Sequence, residues 1–153
     1  MNDAALLALV RGAEAAADVA GAVIRPFFRA GVADRTAEQA MRAVLSERFP
    51  GHGILGEEFG LQNPGSELRW VLDPIDGTRA FITGRPSFGT LIGLLDGDTP
   101  IIGIIDQPIT GERWVGARGM ATTFRGPFGG RAATRACASV GQAELGATTP
   151  DMF

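Results

Sequence analysis

Phe88-Gly89-Thr90-Leu91-Ile92-Gly93-Leu94-Leu95-Asp96-Gly97-Asp98-Thr99-Pro100-Ile101-Ile102-Gly103-Ile104-Ile105 sets the architecture. Two apolar, β-rich runs flank Leu95-Asp96-Gly97-Asp98, and an Asp-Gly pair accepts the positive φ angles of a tight turn, which predicts an antiparallel hairpin. Thr110-Gly111-Glu112 repeats the device and joins this hairpin to Arg113–Val115, with Thr122–Phe124 following. Upstream, Ile54-Leu55 and Trp70-Val71-Leu72 are short runs of the same character, set off by Gly, Pro, Asn and Asp. They read as further strands of an antiparallel sheet.

Toward the amino terminus the period changes. Leu6, Val10, Ala13, Ala17, Ala20 and Ile24 draw one apolar stripe along a helix, which stops near Arg25-Pro26 because the residue before proline leaves the α region. Thr36-Ala37-Glu38-Gln39 matches a capping box for a second helix, continued by Ala40, Met41, Val44 and Leu45 and stopped at Phe49-Pro50-Gly51. The expected fold is α+β, two helices packed on one face of an antiparallel sheet. It divides a single domain, residues 1–153, into a helical pair (1–50), a sheet (51–125) and a closing loop region (126–153). Gly126-Pro127-Phe128-Gly129-Gly130 reads as loop, since it does not follow a strand as a dinucleotide fingerprint does.

The 153 residues are 45% hydrophobic and 20% charged, ordinary for a soluble domain. Cys137 is the one cysteine, so an intrachain disulfide is impossible, and with His52 alone beside it no zinc cluster can form. Cys137, between two alanines, reads as a small packed residue, and His52, between two glycines, as structural. All 14 basic residues are arginine against 17 acidic residues, a net charge of -3. This lacks the basic footprint of a nucleic-acid partner. Without lysine, a Walker A loop, a Schiff base and a kinase lysine are excluded. No apolar run approaches the ~20 residues that span a bilayer, so no membrane partner and a cytoplasmic location are expected.

Two acid clusters stand out: Gly56-Glu57-Glu58 and Asp73-Pro74-Ile75-Asp76-Gly77-Thr78, each at the end of an expected strand. Four carboxylates meeting at one sheet rim would repel, and a divalent cation would reverse that penalty. The donors are hard oxygens, which select Mg²⁺, Mn²⁺ or Ca²⁺, with Mg²⁺ the natural choice. A helix opening at Thr78 would turn free N–H groups toward an anion, so metal and helix together would clamp a phosphoryl group. Each segment also has a plainer reading, Asp-Pro-x-Asp-Gly as a turn and Glu-Glu as an exposed pair.

Taken together, Gly56-Glu57-Glu58 and Trp70-Val71-Leu72-Asp73-Pro74-Ile75-Asp76-Gly77-Thr78 closely resemble the inositol monophosphatase superfamily of Mg²⁺-dependent phosphomonoesterases. The resemblance runs on through Pro86–Gly89 and Gly103–Pro108 to Trp114 and Gly116–Gly119, and Ala147–Phe153 looks like its histidinol-phosphatase branch. It implies the amino-terminal part of an αβαβα sandwich and hydrolysis of a small phosphorylated metabolite, histidinol phosphate or an inositol phosphate, by metal-activated water. The same resemblance makes Glu57, Asp73, Asp76 and the Ile75 carbonyl metal ligands. Glu57 and Thr78 would orient the water, Gly77 and Thr78 would hold phosphate, and Asp34 would support the site, its alternative being a helix N-cap.

Two departures accompany the match. The family's lysine-bearing hairpin ahead of the residue matching Asp34 is reduced to Ala30–Ala33, and the aspartate that the family draws from a later Trp-Asp motif lies outside this sequence. The second expectation is therefore a catalytically incomplete Mg²⁺- and phosphate-binding module. Under either reading homo-oligomers are expected, because apolar surface left uncovered seeks a partner.

Overall fold

The computed structural model describes residues 1–31, 33–134 and 136–144. Helix α1 (Asp3–Ile24) starts where the Asn2 side-chain oxygen accepts the Ala5 N–H at 2.9 Å. Its buried face is Leu6, Leu9, Ala13, Ala16, Ala17, Ala20 and Ile24, mostly alanine, so α1 lies close against helix α2 (Asp34–Arg48) and the sheet. A 3₁₀ turn, Arg25–Phe27, which contains Pro26, follows the end of α1. The capping box is not used: α2 begins two residues before Thr36, with Ala33 at its cap and no side-chain cap bond. Ala33 and Ala37 are both buried, and packing of that first turn outweighs the hydroxyl cap.

Seven strands form one sheet in the order β2-β1-β3-β4-β5-β6-β7. They are β1 (Gly53–Gly56), β2 (Gly60–Gln62), β3 (Leu68–Asp76), β4 (Gly89–Asp96), β5 (Thr99–Gln107), β6 (Glu112–Ala117) and β7 (Thr123–Arg125). Helix α3 (Thr78–Ile82) lies between β3 and β4. The α+β class holds, and from β3 to β7 every pairing is antiparallel. One pairing departs from the expectation: β1 and β3 are parallel, Gly53↔Arg69 through Gly56↔Leu72. The cause is β2, three exposed residues too short to show a period, which hairpins along the outer edge of β1. Residues 63–67 then carry the chain back, and β3 enters on the inner side of β1 in the same direction.

Ile54, Trp70, Leu72, Ile92, Leu94, Ile102 and Ile104 pack beneath the helices. On the opposite face Gly93, Gly103 and Gly116 pair across three strands, beside Leu91, Ile105 and Trp114, with Ile105 51% exposed. His52 is structural, stacked on Phe49 at 5.0 Å between ring centroids and facing Trp70 at 6.1 Å. Residues 126–130 are loop, as read, but Cys137 is exposed rather than packed, its Sγ donating to the Ser139 carbonyl. Among the described residues after β7, the regular structure is a 3₁₀ turn at Val140–Gln142. No helix among the described residues is long and apolar enough to cross a membrane.

Candidate metal and phosphate site

Parallel pairing runs β1 and β3 toward the same rim. Gly56 lies opposite Leu72, so Glu57, just past the end of β1, and Asp73, the next residue of β3 and still paired with Leu91 of β4, come to one rim of the sheet. The β3–β4 register then slips between Asp73 and Asp76, where Pro74 has no N–H for the ladder. Its carbonyl is held instead by the buried Thr90 hydroxyl, which donates at 2.8 Å. The Ile75 N–H donates to Asp73 Oδ1 at 3.1 Å, and the Thr78 hydroxyl donates to the Ile75 carbonyl at 3.1 Å. Gly77 stands at φ 89°, ψ 38°, and a Cβ there would lie 3.2 Å from the Ser87 carbonyl oxygen. That left-handed residue lets the strand turn within one position into α3, which opens at Thr78 as expected.

Burial raises the Asp73 pKa to about 6, assisted by the negative charges of Glu57, Asp76 and Asp34 and opposed by the Ile75 N–H. The fold thus brings Asp34, Glu57, Asp73 and Asp76 into one electrostatic neighbourhood. Asp34 is the first residue of α2 and not its N-cap, and its Oδ2 is buried without a hydrogen-bond partner. Glu58 is not among the charges that raise Asp73, and its carboxylate accepts from Arg35 at 3.3 Å. Glu57 and Asp76 are exposed, and among the described residues no three His, Cys, Asp or Glu side chains stand pre-arranged around a metal position. Like charges on exposed side chains spread apart. The donor set itself, carboxylates and a carbonyl with one buried orphan oxygen, fits a hard divalent cation.

Two buried polar groupings escaped the sequence reading. Glu38, fully buried, joins Arg42 at 2.7 Å beneath the Glu57–Phe59 turn. Its signal was the acid-base spacing of four on α2. Arg113 lies opposite Asp106 in the β5–β6 register, donates to it at 2.6 Å and to Asp18 at 2.8 Å, and so ties the sheet to α1. An acid and an arginine flanking the Thr110-Gly111-Glu112 turn were the only hint.

Residues 29–150 match the inositol monophosphatase family, and the chain belongs to it. It is 44% identical over 154 residues to the bifunctional phosphatase IMPL2 of Arabidopsis thaliana, a chloroplastic protein, covering 91% of this chain and 44% of that one. To the histidinol-phosphatase of Mycobacterium tuberculosis it is 42% identical over 87 residues, 57% of this chain and 34% of that one. An inositol monophosphatase structure from Zymomonas mobilis superimposes with a TM-score of 0.69 at 52% identity, covering 76% of this chain and 50% of that one. The chain therefore spans half or less of the length of these relatives. Ala147–Phe153, with its resemblance to the histidinol-phosphatase branch, lies outside the described residues.

Proposed function

We propose that this chain belongs to a Mg²⁺-dependent phosphatase acting on a small phosphate monoester, histidinol phosphate or an inositol phosphate. The carrying observation is the rim itself, where the parallel β1–β3 pair brings Glu57 beside Asp73, whose carboxyl is raised to about 6 by burial and by Glu57, Asp76 and Asp34. Mg²⁺ at this rim would keep the carboxylates ionised and lower the pKa of a bound water. Glu57, Asp73, Asp76 and the Ile75 carbonyl would hold it. Glu57, Thr78 and the buried Asp34 oxygen would orient the water and receive its proton. The N–H groups of Gly77, the N-cap of α3, and of Thr78, its first residue, have no acceptor within the helix and suit phosphoryl oxygens. The relatives' own activities, a histidinol-phosphatase and an inositol monophosphatase, support the two substrate classes. A single domain in a reducing, cytoplasmic compartment accords with the lone cysteine.

The test is phosphate release from histidinol phosphate and from inositol monophosphate by the purified chain, with Mg²⁺ varied and Asp76→Asn as control. Metal-dependent release that Asp76→Asn abolishes is the expected result. Absence of release at every Mg²⁺ concentration would refute turnover by this chain.

A second reading rests on the open sheet face. Ile105, Leu91 and Trp114 beside a trough of three glycines are apolar surface of the kind that marks an association site. In this reading the chain binds Mg²⁺ and phosphate without turnover and self-associates. Sedimentation of the unaltered chain against Ile105→Glu distinguishes it, since the charge would disperse an oligomer built on that face.

A further inference from the structure

A buried carboxylate beneath the metal-site hairpin has no place in the chemistry above. Glu38 is fully buried on α2, with both oxygens engaged. Oε1 accepts from Arg42 Nε at 2.7 Å, and Oε2 accepts from the backbone N–H of Glu58 at 2.7 Å. Gly56 and Gly60 are paired, so Glu57, Glu58 and Phe59 form a three-residue hairpin loop, closed by Gly60 at φ 66°. Arg42 continues from Glu38 to both strands of that hairpin: it donates to the Ile54 carbonyl of β1 and to the Gly60 carbonyl of β2. The Arg35 guanidinium lies 4.6 Å from the Phe59 ring centroid and closes the outside of the loop. The carboxylate is seated against the backbone itself, because a Cβ on Gly56 would stand 2.0 Å from Glu38 Oε1.

A carboxylate taken fully out of water is costly, and an isolated apolar replacement would pack there without that penalty. What an apolar side chain cannot do is hold the Glu58 N–H, one residue from Glu57. We infer that Glu38, braced by Arg42, is a positioning residue that sets the loop from which the Glu57 carboxylate reaches toward a divalent cation. The inference rests on the metal-site reading above. Groups that orient metal ligands from behind commonly change metal affinity by about 10- to 100-fold when removed.

The test uses the purified chain and Mn²⁺ as probe, with affinity read by electron paramagnetic resonance and folding by circular dichroism. Amide hydrogen exchange at Glu58 reports the loop directly. Glu38→Gln keeps the shape and one acceptor, Glu38→Met keeps neither acceptor, and Leu45→Val is a destabilised control elsewhere on α2. The expected result is Mn²⁺ affinity lowered about tenfold in Glu38→Gln and further in Glu38→Met. Exchange at Glu58 should accelerate in both, while Leu45→Val lowers the melting temperature with affinity unchanged. Unchanged Mn²⁺ affinity or unchanged Glu58 exchange in folded Glu38→Gln overturns the inference alone, as does an equal loss in Leu45→Val. Failure of the unaltered chain to bind Mn²⁺ overturns the metal-site reading, and the inference with it.

Discussion

The β4–β5–β6 ladder and the β1–β3 corner belong to one sheet yet are built on opposite plans. In the ladder, consecutive strands fold back through Asp96-Gly97 and Thr110-Gly111, bury Ile92, Leu94, Ile102 and Ile104, and align glycines where the face is open. Each contact is settled by residues near it in sequence. In the corner, two strands run parallel, acids gather at their common end, and a buried glutamate from α2 holds the turn between β1 and β2. Here the local rules are broken: carboxylates sit together, the β3–β4 register slips around Pro74 and Gly77 takes a left-handed conformation. Such violations collect where a protein does chemistry, and the rest of the fold must hold them in place.

The largest expected effect breaks the corner from below. Trp70, fully buried in β3 against Phe49, anchors the parallel pair, and Trp70→Ala should cost about 3–5 kcal/mol in urea unfolding. Next comes the rim. At Mg²⁺ a hundred times above its dissociation constant, the ion should stabilise the unaltered chain by about 2.7 kcal/mol, and Asp76→Asn should remove that increment in thermal melts. The ladder contributes no donor and should show no such metal dependence.

A matched pair of glycines sharpens the contrast further. Gly56→Ala puts a methyl group into the Glu38 carboxylate and should destabilise by about 1–3 kcal/mol. Gly103→Ala, with no atom within 4 Å of the added carbon, should instead stabilise by up to about 1 kcal/mol. Both are read from denaturant midpoints. Equal effects would mean that the two regions do not differ in tolerance.

The smallest effect is one of pH. Burial lowers the His52 pKa below its ordinary 6.5, so the folded chain binds fewer protons there than the unfolded chain. Its contribution to stability is therefore lost as pH falls through 6.5 toward the lowered value, and His52→Gln should flatten the stability profile across that window. A profile identical in both proteins would remove His52 from the account.

Much was fixed locally. The 3.6-residue stripe of α1, the period and turns of β4 to β6 and the strand-turn-helix passage at Asp76-Gly77-Thr78 need only neighbours in sequence, because turn dihedrals and face burial are short-range constraints. The candidate acids were legible too, since Asp-Pro-x-Asp-Gly-Thr and Gly-Glu-Glu carry their chemistry in their residue types. Other features waited for the tertiary structure. The parallel β1–β3 pair depends on β2, whose three residues carry no period, and a strand's direction in a sheet is set by long-range packing. The start of α2 moved from Thr36 to Asp34 because burial of Ala33 and Ala37 overrode a local cap. Residue types alone grouped Glu58 with Glu57, and the family resemblance singled out Glu57; in the structure the Glu58 carboxylate accepts from Arg35 of α2 while its N–H is held by Glu38. The residues alone named the candidate oxygen donors. The fold decided which of them share a rim, because the cost of bringing like charges together is met by contacts made far away in the chain.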